Sequence, residues 1–419
     1  AGVLAFTYFQ IIRPTWAYLG FTGSYPGLSS ALLVVVAIAA LSVLLPTEVL
    51  RGGDMLLWYV FLVAFVPATF IVYVKQAETA RSYISIDFVV VAIALGMAAL
   101  VGGNRFRAPA LFRRSVSTNS VVVGVMLGNL LCIGAILAVG PRLSLLGLSD
   151  VVGQRVSAQM VFAQVGFLSY LVVWMSNVLA PMCLALGLLL RRWGAALVGL
   201  GATGISYAVG GNRSVLLATL LLLGTVAMRM KGRRPLGGVA VLRGAALVVV
   251  GLALLSVYDR SSTAELVLYR TFYTPAVSLH NYVDYFEERP KLGLRDIPVL
   301  NRFEGPSDYG DRPVGLIIGE EYGRREGVNE NANFFAHGYA TGGAIGIVFM
   351  GVAGGGLLLL VNAAGVGKEA LAVASLPAHA VSLTNVPLTV IPIGGGFLLS
   401  VLILGLLEAD ASLGWRTES

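Results

Sequence analysis

Apolar runs of membrane-crossing length alternate with short polar breaks along nearly the whole chain. The runs fall at about 28–45, 55–74, 86–101, 120–139, 163–190, 194–209, 214–229, 239–257, 334–361, 369–386 and 391–407. A helix needs roughly 20 apolar residues to cross hydrocarbon. The pattern therefore predicts an all-α, polytopic integral membrane protein with about eleven (10–13) transmembrane helices. A β-barrel would show short alternating segments instead. Residues 1–27, with Pro14, Pro26 and a short apolar start, predict the end of a clipped helix or an interfacial segment. Pro181 and Pro377, inside their runs, predict kinks. The chain divides into N-terminal membrane helices over 1–257, a long loop over 258–332 and C-terminal membrane helices over 333–419.

Composition agrees with this class. The 419 residues are 57% hydrophobic and 12% charged, against roughly 25% charged in soluble domains. The net charge of +7 does not point to nucleic acid, because the excess sits in short loops. Arg105, Arg107, Arg113 and Arg114 form one cluster, Arg191 and Arg192 a second, and Arg229, Lys231, Arg233, Arg234 and Arg243 a third. With eleven spans all three lie on one side, which is cytoplasmic by the positive-inside rule. The long loop is then external. It carries nine basic and thirteen acidic residues, unlike the cytoplasmic loops. Ser262 and Glu265 have capping-box spacing, followed by Leu266, Tyr269, Phe272 and Tyr273 at helical intervals. Pro275 restarts the chain, and Leu279, Tyr282, Val283 and Phe286 predict a second short amphipathic helix. Cys132 and Cys183 lie in apolar runs and read as core residues. No Cys/His metal spacing occurs, and no cofactor is expected.

Candidate chemistry centres on Asn329–Gly346. A helix starting near Asn333 places Asn333, His337 and Thr341 on one face and Gly338, Gly342 and Gly346 on another. An ionisable residue inside a span is a functional candidate, and His337 can transfer protons near neutrality; its competing role is that of a satisfied core histidine. The runs headed by Asn212-Arg213 and by Asn333 both start from outside. Helix N-termini capped by Asn212 and Asn333, with Arg213 adjacent, suit a phosphate group; Arg213 alternatively snorkels to headgroups. Arg270 is the lone cation of an aromatic stretch and is a second phosphate ligand, or else a headgroup contact or an ion pair with Glu265. Arg324 and Arg325 are either substrate contacts or a solvated surface. Tyr339 lines the same cavity or simply anchors at the interface. His379 reads as structural, with Ser375 its one polar neighbour in sequence, and His280 reads as solvated.

The elements Arg270…Pro275…Leu279…Tyr282…Asp284-Tyr285-Phe286 and Ile318-Gly319…Asn329…Asn331-Ala332-Asn333…Tyr339…Gly342-Gly343…Gly346 resemble the O-antigen polymerase (Wzy-type) family of repeat-unit polymerases. Gly210-Gly211-Asn212-Arg213-Ser214 is similar to the Gly-x-Arg-Ser/Thr element of that family and of the related O-antigen ligases. The likeness covers about residues 205–350. It implies a metal-independent glycosyltransferase of a bacterial inner membrane with its active site facing the periplasm. Undecaprenyl-diphosphate-linked oligosaccharides would be donor and acceptor, and a chain-length regulator is a possible partner. It also implies that Arg213 and Arg270 hold the donor diphosphate and that His337 sits near the acceptor. Alternatives are ligase-type transfer to a lipid-A core, a transporter or flippase of lipid-linked sugars, and a receptor or scaffold. A transporter predicts inverted repeats and broken helices near mid-membrane. The one repeated string, Val-Gly-Gly-Asn-Arg at 101–105 and 209–213, reads as helix-end chemistry.

Overall fold

The computed structural model describes residues 2–79, 83–107, 109–111, 115–139, 166–210, 213–231, 235–259, 262–293, 295, 309–310, 312–323, 329–330, 332–410 and 412–415. Among these, helix is the repeating structure, and β pairing is limited to two isolated bridges. Six helices are long and apolar enough to cross a membrane: Gly52–Lys75, Ile86–Arg105, Thr118–Val139, Gly166–Leu189, Gly238–Tyr258 and Phe334–Ala364. Leu28–Leu44, Trp193–Val209, Ser214–Met230 and Phe397–Leu406 are shorter apolar helices at other expected positions. The 369–386 run divides at Leu376 into Glu369–Ser375 and Pro377–Asn385, because Pro377 brings no N–H to the ladder. Ahead of Pro181 the helix widens into a π turn at Met175–Leu179, a common response to an interrupted ladder. Arg113, Arg114, Arg233 and Arg234 lie outside the described residues.

The most extensive packing joins Tyr83–Arg105 to Phe334–Ala364. Glycines make it possible. Gly96 lies against Ile347 and Gly351, Leu100 against Gly354, and Gly103 against Gly355. Residue numbers rise together along the contact, so the two helices run parallel and begin at the same end of the bundle. Close backbone approach through small residues is the main source of helix–helix attraction in lipid. At the far end a buried polar knot ties three helices. The Asn104 amide donates to Asp54 (2.7 Å), the Asn362 amide donates to the Asn104 side chain (2.8 Å), and the Gly53 N–H donates to Asn362 (2.9 Å). Arg51 pairs with Asp54 at 3.0 Å from the helix start.

Phe334–Ala364 is not one rod. Gly342 (φ −151°, ψ 26°) and Gly343 (φ 62°, ψ −145°) break it, and the second pair of angles is essentially reserved for glycine. The glycines expected to form a continuous stripe therefore do something else. Gly338 meets Gly346 and Ile347 face to face, whereas in a straight helix eight residues would separate them by about 12 Å. A short arm, 334–341, folds back alongside a long arm, 344–364.

Residues 2–27 form a helical hook over the end of the bundle that carries Lys75. Its Ser24 N–H donates to the Val74 carbonyl at 3.1 Å, and the Tyr8 hydroxyl donates to the Thr22 carbonyl at 2.6 Å. The hook is fixed from below by Tyr273, whose hydroxyl contacts Thr7 and donates to the Leu4 carbonyl at 2.8 Å.

An added methyl at Gly351 would sit 2.2 Å from the Gly96 carbonyl, while at Gly124 it meets open space. Gly351→Ala is predicted to destabilise the protein by about 1–3 kcal/mol, and Gly124→Ala to leave it unchanged. Thermal unfolding in detergent checks this, and equal midpoints for the two variants would contradict the packing described.

Candidate functional site

The site is built around the helix Thr274–Glu287. Pro275 supplies no N–H, and the chain enters through a π turn at Tyr269–Tyr273, where the Thr274 N–H and hydroxyl both reach the Tyr269 carbonyl. An amphipathic helix lying on a surface was expected. Instead every residue from Pro275 to Phe286 except Asp284 is buried, because Gly52–Thr79 covers one side and the short arm the other. His280, expected in solvent, is only 4% exposed for the same reason.

Asn333 caps the short arm. Its Oδ1 accepts from the Ala336 N–H at 2.9 Å and its Nδ2 donates to the Pro275 carbonyl at 3.0 Å. Asn333 is wholly buried between Ala332 and Phe334, themselves buried. The helix N-terminus expected to face outward is thus closed off by protein, and the cap amide is committed to backbone partners. At its other end the arm is finished by the loop that follows Thr274–Glu287. Leu292 N–H donates to the Ala340 carbonyl at 2.8 Å and Gly293 N–H to the Thr341 carbonyl at 3.1 Å, satisfying carbonyls a helix end leaves open. The Lys291 ammonium stands 4.3 Å from the Tyr339 ring centroid, at this negative dipole end. Burial pulls its proton affinity below the usual lysine range, with Glu287 opposing.

Between Val314–Gly323 and this helix lies a carboxyl that the sequence reading passed over. Glu330 is half-buried. The Asn281 amide donates to Glu330 Oε1 at 2.7 Å. The Ser278 hydroxyl lies beside the same carboxyl, outside good hydrogen-bond geometry. The backbone is held too: Glu330 N–H donates to Gly315 at 2.8 Å, and the Tyr282 hydroxyl donates to the Glu330 carbonyl at 3.3 Å. Gly315 has to be glycine, since a methyl there would meet the Asn329 side chain and the Glu330 carbonyl. Burial raises the Glu330 pKa to about 7, against the lowering effects of Asn281, Ser278 and the Lys75 charge. Lys75 is itself buried, its ammonium donating to Gly20 O at 2.7 Å and Thr22 Oγ1 at 3.3 Å. Thr22 also lines an open groove of about 400 Å³ shared with Phe9, Arg13, Pro14 and Ala17.

His337 lies one turn into the short arm, 2% exposed, its N–H donating to Asn333 O at 3.0 Å. Thr341 Oγ1 donates to the His337 carbonyl at 2.8 Å. Tyr339 is on the same arm beneath Lys291. Arg270 is exposed, its guanidinium 5.2 Å from the Tyr269 ring, which in turn stacks on Trp16 at 4.3 Å. Arg213 begins the helix Arg213–Met230, whose main neighbours are Gly166–Leu189, Trp193–Gly210, Glu369–Ser375 and Pro377–Asn385. The elements that carry Arg270 and His337 are not among them. The Arg213 side chain, Asn212, Arg324, Arg325 and Asn331 lie outside the described residues. His379 is buried with its Nε2 2.8 Å from Ser400 Oγ, a partner from another helix in place of the Ser375 suggested by sequence. Among the described residues no group of three or more His, Cys, Asp or Glu is placed to hold a metal ion. Arg13, Lys75 and Glu330 are the charged residues here that sequence reasoning missed. The available signal for Lys75 was its position as the first charge after a long apolar run.

No protein-family model, no curated protein and no solved structure matches the chain.

The Glu330 carboxyl binds its proton more tightly in the folded protein, with a pKa of about 7, than at the ordinary glutamate value of 4.5. Its contribution to stability therefore falls as pH rises through that window and is flat on either side. Relative to Glu330→Gln, the wild type is predicted to lose on the order of 3 kcal/mol between pH 4.5 and 7.5. Thermal unfolding of both proteins across this range tests it, and parallel profiles would show that the carboxyl is not held protonated by the fold.

Proposed function

We propose that the chain is a membrane glycosyltransferase that polymerises undecaprenyl-diphosphate-linked oligosaccharide repeat units at the periplasmic face of a bacterial inner membrane. The observation that carries this reading is the cluster of polar groups at one end of a helical membrane protein. Glu330 is bonded there to Asn281 with Ser278 beside it, the Lys75 charge acts on Glu330, and Lys75 itself bonds Thr22 on the wall of a groove of about 400 Å³. Transfer from a lipid diphosphate suits such a place. The lipid stays in the bilayer, the sugar meets polar side chains at the rim, and the departing diphosphate needs cations. Arg270, exposed and braced on Tyr269, is free to meet a diphosphate. Arg213 supplies the second cation in this reading, from the head of its own helix. Fixed guanidinium groups stabilise the charge that develops on the leaving diphosphate.

The break at Gly342–Gly343 favours a second reading, because a discontinuous helix is also the mark of a transporter of lipid-linked sugars. The two separate in vesicles loaded with synthetic undecaprenyl-diphosphate repeat units and no added metal. Glycan lengthening supports the polymerase, transfer confined to an added lipid-A core makes it a ligase, and movement of substrate between leaflets without new bonds makes it a transporter. Arg213→Ala and Arg270→Ala are each predicted to reduce chain growth about 10²-fold or more with unchanged protein levels. Wild-type ladder lengths in either variant would remove that residue from diphosphate binding.

A further inference from the structure

Displacement of a lipid diphosphate by a sugar hydroxyl needs a group that takes the hydroxyl proton. His337 was the expected base, but it is enclosed within the short arm's packing, 2% exposed. Glu330 is differently placed. It sits in the lead-in to that arm, is held by backbone and side chain from Thr274–Glu287 and Val314–Gly323, and is only half-buried. The Lys75 charge acts on it, and the Lys75 ammonium bonds Thr22, which lines the groove.

Building on the polymerase reading, we infer that Glu330 is the catalytic base, receiving on its carboxylate the proton of the acceptor hydroxyl as that oxygen attacks the donor's anomeric carbon. The new glycosidic C–O bond forms as the C–O bond to the diphosphate breaks, and the electron pair leaves with the diphosphate oxygen. The proton ends on Glu330, and no oxidant, reductant or metal is consumed. Asn281 orients the carboxyl, Ser278 lies beside it, and the Lys75 charge favours its ionised form; Val314–Gly323 contributes the Gly315 carbonyl, which holds the Glu330 backbone. A carboxyl with a pKa of about 7 is matched to proton transfer at neutral pH. The base works when ionised, so kcat/KM rises with pH through about 7 and then levels.

The test is repeat-unit transfer by full-length protein in nanodiscs, measured from pH 5 to 9 with a synthetic undecaprenyl-diphosphate repeat unit. Wild type should show the rising limb. Glu330→Gln should lower kcat about 10²–10⁴-fold, lose that limb, and keep donor KM within about threefold. Glu330→Ala should regain turnover on addition of formate, a small carboxylate that can enter the vacated space. That rescue separates a missing base from a misfolded protein, as does Glu330→Asp, which should retain the limb at reduced rate. Wild-type turnover and an unchanged pH profile in Glu330→Gln would overturn the inference and leave the polymerase reading standing. Absence of any transfer by the wild type would overturn the polymerase reading and the inference with it.

Discussion

A single backbone conformation, Gly343 at φ 62° and ψ −145°, governs the end of the molecule where the candidate chemistry lies. It stops a 31-residue apolar helix after its second turn and returns the first part along the rest. Only glycine tolerates those angles without strain of a few kcal/mol, and only glycines at 338 and 346 let the returning backbone lie so close. Once folded back, the short arm presents its final carbonyls to Leu292 and Gly293 and its cap to the Pro275 carbonyl. Thr274–Glu287 and the loop after it are thereby pinned at both ends, and Glu330 is carried to Asn281.

The rest of the bundle follows from the intolerance of lipid for unpaired polar groups, each of which costs several kcal/mol. The three central helices, Gly52–Lys75, Tyr83–Arg105 and the long arm, are tied at one end by Asp54, Asn104 and Asn362. These side chains satisfy one another almost completely, which gives that knot a structural role. At the other end the pairing is looser. The Glu330 carboxyl has one close amide, and Ser278 sits beside it without a well-formed bond. An arrangement with hydrogen-bonding capacity in hand suits a group that meets substrate.

Hydropathy made the membrane class and the positions of the helices legible, and Asn333 as a cap was readable from its place before an apolar run. The fold-back at Gly342–Gly343 was not, because membrane helices carry glycine freely and a Gly-Gly pair inside one is compatible with a straight rod. His280 was misplaced because the period of Thr274–Glu287 describes one apolar face, whereas tertiary packing covers both. Glu330 and Lys75 escaped notice since each looks like an ordinary loop or helix-end charge. Their relation exists only after the hook, the loop helix and the short arm have come together. Arg270 and His337 were chosen by residue type and context; the turn that carries Arg270 leads into Thr274–Glu287, which packs against the helix of His337, while Arg213 heads a helix packed elsewhere.

This end of the molecule depends on 334–341 folding back on 344–364. Spin labels at Asn329 and Gly356, both exposed, report on it directly in protein whose Cys132 and Cys183 have been replaced. A straight helix from residue 334 would separate residue 356 from the arm's start by about 33 Å, and Asn329 lies further back still. The fold-back predicts an electron–electron distance less than two-thirds of that in nanodiscs. A distance at or above the straight-helix value would contradict it.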